Sequence, residues 1–174
     1  MPTNRPTKQF EHSLFASGYT TIIGVDEVGV GCLAGPVVAC ALSLPASFFI
    51  NKAKALSGVR DSKLLSARQR ELFSNQLIKN RRVRYKISFS FPKTIDQINI
   101  YHAARKAMRR AVENMVRGRP DWPVGRKRKV MVLVDGPHLI SGLTLEQKAI
   151  VKGDRKVFTI ACASILAKVF RDKM

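Results

Sequence analysis

Four acidic residues in this sequence follow apolar segments and lie near glycines. Asp26 and Glu27 close the apolar run in IIGVDEVGVGCLAGP, Asp135 follows VMVLV, and Asp154 follows KAIVKG. If these segments are neighbouring strands of one sheet, their carboxylates converge at one place. Converging carboxylates repel one another, and burying them is costly unless a cation neutralises them.

The chemistry of such a cluster favours a divalent metal ion. Carboxylate oxygens are hard ligands of the kind that Mg²⁺ and Mn²⁺ prefer. Two ions about 3.5–4 Å apart could clamp a phosphodiester, activate a water and stabilise the leaving oxygen. Each acid also has a structural alternative: Asp26 as a turn cap, Glu27 as a lysine partner, and Asp135 with Gly136 as a turn signal. The repetition of the pattern favours the catalytic hypothesis.

The charge of the chain points to a polyanionic partner. It contains 31 Lys and Arg against 12 Asp and Glu, which gives a formal net charge of +19. The excess is spread along the chain, and the commonest cellular polyanion is nucleic acid. A basic surface that serves only solubility is the alternative.

The first half of the chain predicts two strands, a helix and a third strand. TTIIGVD and PVVACALSL are typical of strands, and EVGVGCLAG forms the turn between them. Ser66 suits the N-cap of an amphipathic helix in SARQRELFSNQLIKN. The alternation in RVRYKISFSF predicts a half-buried strand, which Pro92 ends.

The second half predicts a long helix, a central strand and a last helix. Apolar residues recur at three- and four-residue steps from Ile95 to Met115, while Arg105, Lys106, Arg109 and Arg110 occupy the opposite face. VMVLVDG is a short continuous apolar run that suits a central strand. TIACASILAKVFRDKM predicts a helix packed by small residues. Mixed strands and helices favour an α/β or α+β protein in which helices cover a sheet.

The chain is expected to be one domain over residues 21–174, after a loose segment over residues 1–20. Cys32, Cys40 and Cys162 lack metal-site spacing, which favours core positions in a reducing compartment. The N-terminus has no apolar stretch typical of a secretory signal. The uncharged run from Cys32 to Ile50 is nearly long enough to span a bilayer. Gly35, Pro36 and Pro45 interrupt it, which favours a buried strand over a membrane segment. We therefore expect a soluble cytoplasmic protein.

Four blocks of the sequence resemble ribonuclease HII, the type 2 ribonuclease H family. They are GVDEVGVGCLAGPVVACAL, DSKLLSARQRE, VLVDG and KGDRKVFTIACASILAKVFRD. The blocks are collinear with those of the family and extend from about Ile22 to the last residue. The resemblance implies a ribonuclease H-like fold, with a central mixed β-sheet flanked by helices.

The resemblance also implies a function and a set of site residues. Family members are metal-dependent endonucleases that cut RNA in RNA/DNA hybrids and nick duplex DNA 5′ of an embedded ribonucleotide, leaving 5′-phosphate and 3′-hydroxyl ends. The acids that match the active-site and metal-binding positions are Asp26, Glu27, Asp135 and Asp154. The implied cofactor is Mn²⁺ or Mg²⁺, with two ions when substrate is bound. The implied partner is an RNA/DNA hybrid or ribonucleotide-containing duplex DNA, bound by a monomer.

Seven further residues are candidates for contact with the substrate. Gly29 and Gly31 would allow backbone N–H groups to approach the sugar-phosphate, and the 2′-hydroxyl distinguishes RNA from DNA. The full set is Gly29, Val30, Gly31, Ser62, Lys63, Ser164 and Lys168. For the glycines the alternative is a simple tight turn, for the lysines a solvated surface, and for the serines capping or packing. Asp172 is interpreted as a residue that supports the fold.

Two features depart from the family pattern. The family turn is usually Gly-Arg-Gly, whereas Val30 stands between the glycines here and supplies no side-chain donor. Family members also continue beyond the position of Met174 into a segment with Lys-Gly-Tyr-Gly, whose tyrosine packs against the sugar. The chain is expected to be either a fragment or a short variant.

Two other functions remain open at the level of sequence. One is a nucleic-acid-binding module that kept the fold with little or no turnover, which Val30 and the short C-terminus favour. The other is a related nuclease such as a junction resolvase, against which the collinear blocks argue. The complete set of acids favours the ribonuclease.

Overall fold

A computed structural model describes residues 6–32, 34–50, 58–59, 62–117 and 129–174. Five strands form one sheet in the order β3-β2-β1-β4-β5. The strands are β1 Tyr19–Val28, β2 Val37–Ser43, β3 Arg84–Ser90, β4 Lys129–Asp135 and β5 Gln147–Ile150. The helices are α1 Gln9–Ala16, α2 Ser47–Ile50, α3 Ala67–Lys79, α4 Pro92–Val116 and α5 Phe158–Asp172, with 3-10 turns at Ser62–Leu64 and Gly153–Arg155.

The sheet is mixed, and its parallel part brings three strand ends together. Strands β1, β2 and β3 pair antiparallel, whereas β4 pairs parallel with both β1 and β5. Val25 lies beside Val134, and Asp135 lies beside Ile150. The carboxyl ends of β1, β4 and β5 therefore meet at one edge of the sheet.

Helices α4 and α5 cover opposite faces of this sheet. On one face, Val25 of β1 belongs to the same core cluster as Met108 and Val112 of α4. On the other face, Ile22 of β1 packs in one cluster with Ile160 of α5. Because successive residues of a strand point to opposite faces, β1 is buried on both sides. This arrangement confirms the predicted α/β class, with a mixed sheet flanked by helices.

Gly24 allows α5 to approach β1 closely. A Cβ atom on Gly24 would lie 2.5 Å from the backbone carbon of Thr159, a distance that no side chain tolerates. Ala161, Ala163 and Ala167 of α5 are fully buried as well. The predicted small-residue helix therefore lies directly against the central strands, next to the ends that carry the acids.

The local signals around α3 and β3 are confirmed. Ser66 caps α3: its Oγ accepts a hydrogen bond from the Gln69 backbone N–H at 3.2 Å, while the Ser66 N–H donates to Gln69 Oε1 at 2.9 Å. The alternating segment forms β3, and Pro92 becomes the first residue of α4. A proline suits the first position of a helix, because it lacks an N–H group and an N–H at that position has no acceptor within the helix.

The long helix α4 is confirmed but is kinked. Asn99 has φ 61° and ψ 168°, a region of backbone space that almost only glycine adopts. Its side chain Oδ1 accepts a hydrogen bond from the His102 N–H at 3.1 Å, as a helix cap does. Asn99 thus ends one helical segment and begins the next.

The structure corrects two expectations drawn from the sequence. The segment expected to be loose contains α1 and the start of β1, because Glu11 is fully buried and binds Thr159. Cys32 is exposed, whereas Cys40 and Cys162 are buried as predicted. Burial raises the pKa of the Cys40 thiol well above its usual value. The domain boundary at residue 21 stays a prediction.

Some of the sequence discussed above lies outside the described residues. These parts are residues 1–5, Leu33 of the first block and Asp61 of the second block, and residues 118–128 between α4 and β4 lie outside as well. Among the helices that the structure describes, none combines the length and the apolar character needed to cross a membrane.

Candidate active site

The ends of β1 and β4 place Asp26 and Asp135 side by side. The parallel register that aligns Val25 with Val134 brings the next residue of each strand together. Asp26 is 5% exposed, and its Oδ1 accepts a hydrogen bond from the Glu27 N–H at 2.8 Å. Two carboxylates from different parts of the chain therefore lie next to each other where β1 and β4 end.

Asp154 reaches the same edge through a tight turn after β5. The left-handed backbone of Lys152, with φ 56°, leads into the 3-10 turn that carries Asp154. The Gly153 N–H donates to Asp135 Oδ1 at 2.6 Å. A Cβ on Gly153 would lie 2.7 Å from Ile160 Cδ1 and 3.1 Å from Asp135 Oδ1, so a larger residue there would displace these side chains. Asp154 thus does not end a strand as predicted, but it is buried next to Asp135.

Electrostatics show that all four acids belong to one cluster. Burial raises the pKa of Asp26 well above its usual value, and the charges of Glu27, Asp135 and Asp154 raise it further. A hydrogen bond from Ser164 acts in the opposite direction. The structure therefore gathers the four acids that the sequence singled out.

Glu27 points to the other face of the sheet from Asp26, because the two are neighbours in one strand. Burial, followed by the charge of Asp135, raises the pKa of Glu27 to about 6, while the charges of Arg105 and Lys63 lower it. Its Oε2 atom is buried and has no hydrogen-bond partner among the residues that the structure describes. An unpartnered carboxylate oxygen among other carboxylates is costly and would be relieved by a cation.

We tested whether this cluster fits a divalent ion. Its donors are four carboxylates, the ligand type that Mg²⁺ and Mn²⁺ prefer. As the side chains stand, however, no three His, Cys, Asp or Glu residues in the described ranges are arranged to hold a metal ion. The backbone has gathered the donors, and side-chain rotation would be needed to close a coordination shell around an ion.

The glycine turn after β1 is shaped by Gly29 and held by Arg171. Gly29 has φ 112°, and a Cβ there would lie 2.7 Å from the Pro36 carbonyl oxygen. Arg171 Nε donates to that same oxygen at 3.1 Å, and its Nη2 donates to the Ala34 carbonyl at 3.1 Å. A Cβ on Gly31 would meet no atom of the described residues within 4 Å, and Val30 is 42% exposed. The turn therefore presents its outer side to solvent.

The two candidate serines lie behind the carboxylates. Ser62 Oγ and Ser164 Oγ are 2.9 Å apart and form a buried hydrogen bond. Since Ser164 also bonds to Asp26, the pair holds that carboxylate in place. This contact favours a positioning role over direct contact with a phosphate.

The two candidate lysines differ in their surroundings. Lys63 lies close enough to Glu27 for its charge to lower the pKa of that acid. Lys168 instead forms a salt bridge with Asp172 on the same helix. Asp172 Oδ2 also lies 3.8 Å from Arg70 Nη2. Asp172 thus supports the packing of α3 against α5, as its interpretation from the sequence implied.

Sequence reasoning missed three functional contacts. Arg105 was noted only as part of a basic helix face, although its charge acts on Glu27. Arg171 and Glu11 hold elements that support the site, and both do so across more than 130 residues of sequence. No local signal in the sequence could reveal such contacts, because each joins residues that only the folded chain brings together.

Solved structures share this fold. The ribonuclease H2 of Pyrococcus horikoshii OT3 superposes with a TM-score of 0.68 at 27% identity, covering 88% of this chain and 72% of that one. The ribonuclease HII of Archaeoglobus fulgidus, solved in complex with PCNA, gives 0.62 at 25% identity over 88% and 73%. Bst-RNase HIII in complex with Mn²⁺ gives 0.70 at 18% identity over 90% and 53%. The fold is that of the ribonuclease H-like nucleases.

Sequence comparison then identifies the family. The family model described as Ribonuclease HII matches residues 23–174. Ribonuclease HII of Caldicellulosiruptor bescii is 43% identical over 165 residues, which are 95% of this chain and 71% of the relative. That of Listeria monocytogenes is 41% identical over 167 residues, 96% of this chain and 57% of the relative. The chain belongs to the ribonuclease HII family, and it is an endonuclease of the ribonuclease H type.

Proposed function

We propose that this protein is a metal-dependent endoribonuclease that nicks duplex DNA on the 5′ side of an embedded ribonucleotide and cuts the RNA strand of RNA/DNA hybrids. The products would carry 5′-phosphate and 3′-hydroxyl ends. The observation that carries the proposal is the meeting of Asp26, Glu27, Asp135 and Asp154 at one edge of the sheet, where burial and then the charges of neighbouring carboxylates raise the pKa of Asp26 and Glu27.

The four carboxylates would hold Mn²⁺ or Mg²⁺. Bound ions would supply charge neutralisation, a lowered pKa for the attacking water, and stabilisation of the leaving oxygen. The protein itself fixes the backbone of each donor. The Ser62–Ser164 pair holds Asp26, the Gly153 N–H holds Asp135, and the cations of Arg105 and Lys63 lie near Glu27.

The glycine turn would select the ribonucleotide. Cleavage on its 5′ side releases the 3′ oxygen of the preceding nucleotide, so the 2′-hydroxyl of the ribonucleotide is not the nucleophile. That hydroxyl must be recognised for the enzyme to distinguish RNA from DNA. The turn is close in sequence to Asp26, and its exposed residues Val30 and Gly31 can offer backbone N–H donors to the sugar-phosphate, while the buried Gly29 sets the left-handed backbone that leads into them.

The test uses a labelled duplex that contains one ribonucleotide. Wild-type protein should nick it with Mn²⁺ or Mg²⁺, should not nick it in EDTA, and should leave an all-DNA duplex intact. A DNA polymerase should extend the new 3′ end. Asp26→Asn and Asp135→Asn should lower cleavage by more than about a hundredfold while binding to the duplex remains. Asp96→Asn, an exposed acid on α4 outside the cluster, is the matched control.

Two outcomes would contradict the proposal. Cleavage at the wild-type rate in Asp26→Asn would place the chemistry elsewhere. Binding without cleavage under any divalent metal would indicate a nucleic-acid-binding module instead.

A further inference from the structure

An open cleft lies between α4 and the segment that follows β4. His102, Arg105, Lys106, Arg109 and Ser141 line it. Three of these five side chains carry a permanent positive charge and none is acidic. Such a concave, basic surface attracts and concentrates anions.

The cleft begins at the carboxylate cluster. The charge of Arg105 lowers the pKa of Glu27, and Arg105 Nη2 lies 3.7 Å from where a Cβ of Gly136 would be, directly after Asp135. Arg105 Nη1 donates to the His138 carbonyl oxygen at 3.0 Å. Arg105 is therefore fixed between the candidate active site and the cleft.

An exposed aromatic residue stands beside Arg105. Tyr101 is 43% exposed, and the Arg105 guanidinium lies 5.3 Å from its ring centre. The rings of His102 and His138 pack edge-on against it, with centres 5.4 Å and 5.7 Å away. These neighbours orient the tyrosine while one side of its ring is accessible.

The strained backbone at Asn99 places these residues together. The Asn99 side chain caps the helical segment that starts after it, so Tyr101 and His102 lie in its first turn. Residues 102, 105, 106 and 109 then share one helix face. With a rise of 1.5 Å per residue, Lys106 and Arg109 are about 4.5 Å apart along the axis, and both line the cleft.

We infer that this surface, from Tyr101 to Arg109 with His138, binds the duplex on one side of the cleaved linkage. Lys106 and Arg109 contact backbone phosphates, and Tyr101 packs against a sugar or base. This inference rests on the proposed function, because it takes the carboxylate cluster as the point of cleavage. It adds that the protein grips one arm of the duplex more strongly than the other.

The test compares two pairs of charge-neutralising substitutions. Lys106→Gln with Arg109→Gln removes two cations from the cleft. The matched control is Lys79→Gln with Arg82→Gln. These exposed residues precede β3, whose first residue pairs with Ser43 at the end of the sheet away from Asp26. Affinity is measured by fluorescence anisotropy over a salt titration, on an all-DNA duplex and on a ribonucleotide-containing duplex in EDTA.

The cleft pair should lower the slope of log affinity against log salt by about two, or about one for each lost phosphate contact. The control pair should lower it much less. When one arm of the duplex is shortened to the cleavage point, wild type and the cleft pair should bind equally. Shortening the other arm should leave their difference intact. In cleavage assays the cleft pair should raise KM with little change in kcat.

Tyr101 provides a second, uncharged probe. Tyr101→Leu should weaken binding of the long duplex by about tenfold, while Tyr101→Phe, which keeps the ring, should bind like wild type. The inference is overturned if the cleft pair and the control pair behave alike, or if the loss persists with either arm shortened. Because binding needs no catalysis, a protein that binds through the cleft but does not cleave would contradict the proposed function, while the cleft would still be the duplex-binding surface.

Discussion

Val30 is the residue at which this chain departs from the turn expected of its family. It is 42% exposed, and it lies between Gly29, which the left-handed backbone requires, and Gly31, which has open space around it. Arg171 holds the other side of this turn through two carbonyl oxygens. The conformation of the turn therefore does not depend on the residue at position 30, which can change without loss of the fold.

We expect Val30→Arg to cleave a ribonucleotide-containing duplex faster, because a guanidinium would add donors for the sugar-phosphate next to the 2′-hydroxyl. One added charge-assisted hydrogen bond of about 1.5–3 kcal/mol corresponds to at least about tenfold in kcat/KM. Val30→Gln, which adds a donor without charge, is the control. An unchanged rate across a range of substrate concentrations would mean that the backbone alone recognises the ribonucleotide.

Glu27 leads to a prediction about pH. Burial and Asp135 raise its pKa from 4.5 to about 6 in the folded protein. The folded state therefore binds this proton more tightly than the unfolded state does, and the associated stability is present below pH 4.5 and is lost as pH rises through about 6. Without metal, the free energy of unfolding of wild type should fall across this range relative to that of Glu27→Gln.

Divalent metal should instead increase the free energy of unfolding as pH rises, which is opposite to the effect of Glu27 protonation. Mn²⁺ should raise the melting temperature more at pH 7.5 than at pH 5, because it binds the ionised carboxylates and competes with protons. Melting curves of wild type and Glu27→Gln, with EDTA or Mn²⁺, measure both effects. Equal metal stabilisation at the two pH values would exclude Glu27 and its neighbours as the metal site.

At the scale of elements, the buried side chain of Glu11 ties α1 to the start of α5 by hydrogen bonds, beside the apolar contacts of the two helices. Glu11 Oε1 accepts hydrogen bonds from both the N–H and the Oγ1 of Thr159, each at 2.7 Å. Val157, the N-cap residue of α5, provides no side-chain cap. Glu11 therefore performs this function from a distant part of the chain, and its negative charge suits a helix N-terminus. Helix α5 in turn carries Ser164, which bonds to Asp26.

Glu11→Ala should lower the free energy of unfolding by about 1–3 kcal/mol, because it leaves buried donors of Thr159 without an acceptor. Glu11→Gln should cost less, since it keeps one acceptor oxygen and nearly the same volume. Urea denaturation measures both, and Glu71→Ala on the exposed side of α3 should change stability by less than about 0.5 kcal/mol. If Glu11→Ala matched that control, the hydrogen bonds from Thr159 to Glu11 would not contribute to the stability of the domain.

At the scale of the whole molecule, charge should dominate binding. The formal net charge is +19, while the four central acids occupy only one edge of the sheet. Each phosphate that the protein neutralises on B-form DNA contributes about −0.9 to the slope of log affinity against log salt. With several contacts, affinity for duplex DNA should fall by orders of magnitude between low and moderate salt.

The salt dependence of duplex binding should not involve the four carboxylates of the site. Asp26→Asn should bind with the same salt slope as wild type, because Asp26 is buried and contacts the site rather than the duplex backbone. Anisotropy titrations in EDTA give the slopes. A flat titration for wild type would mean that the positive charge serves a purpose other than nucleic-acid binding.

Several features were determined by the sequence itself because they depend on neighbouring residues. Ser66 and Gln69 specify a helix start by local hydrogen bonds, Pro92 ends a strand and begins a helix, and alternation at period two specifies β3. Asp26, Glu27 and Asp135 could be singled out because each follows an apolar run that must be buried. Four collinear blocks were enough to identify the family.

Only the tertiary structure decided how these parts meet. The parallel pairing of β1 with β4 sets Asp26 beside Asp135, and a turn rather than a strand end delivers Asp154. Glu11, Arg171 and Arg105 act on groups that are remote in sequence, and the contact of Glu11 with Thr159 holds α1 against α5. Such contacts depend on which buried donors and charges remain unpaired once the sheet has formed, and a linear pattern of residue types does not contain that information.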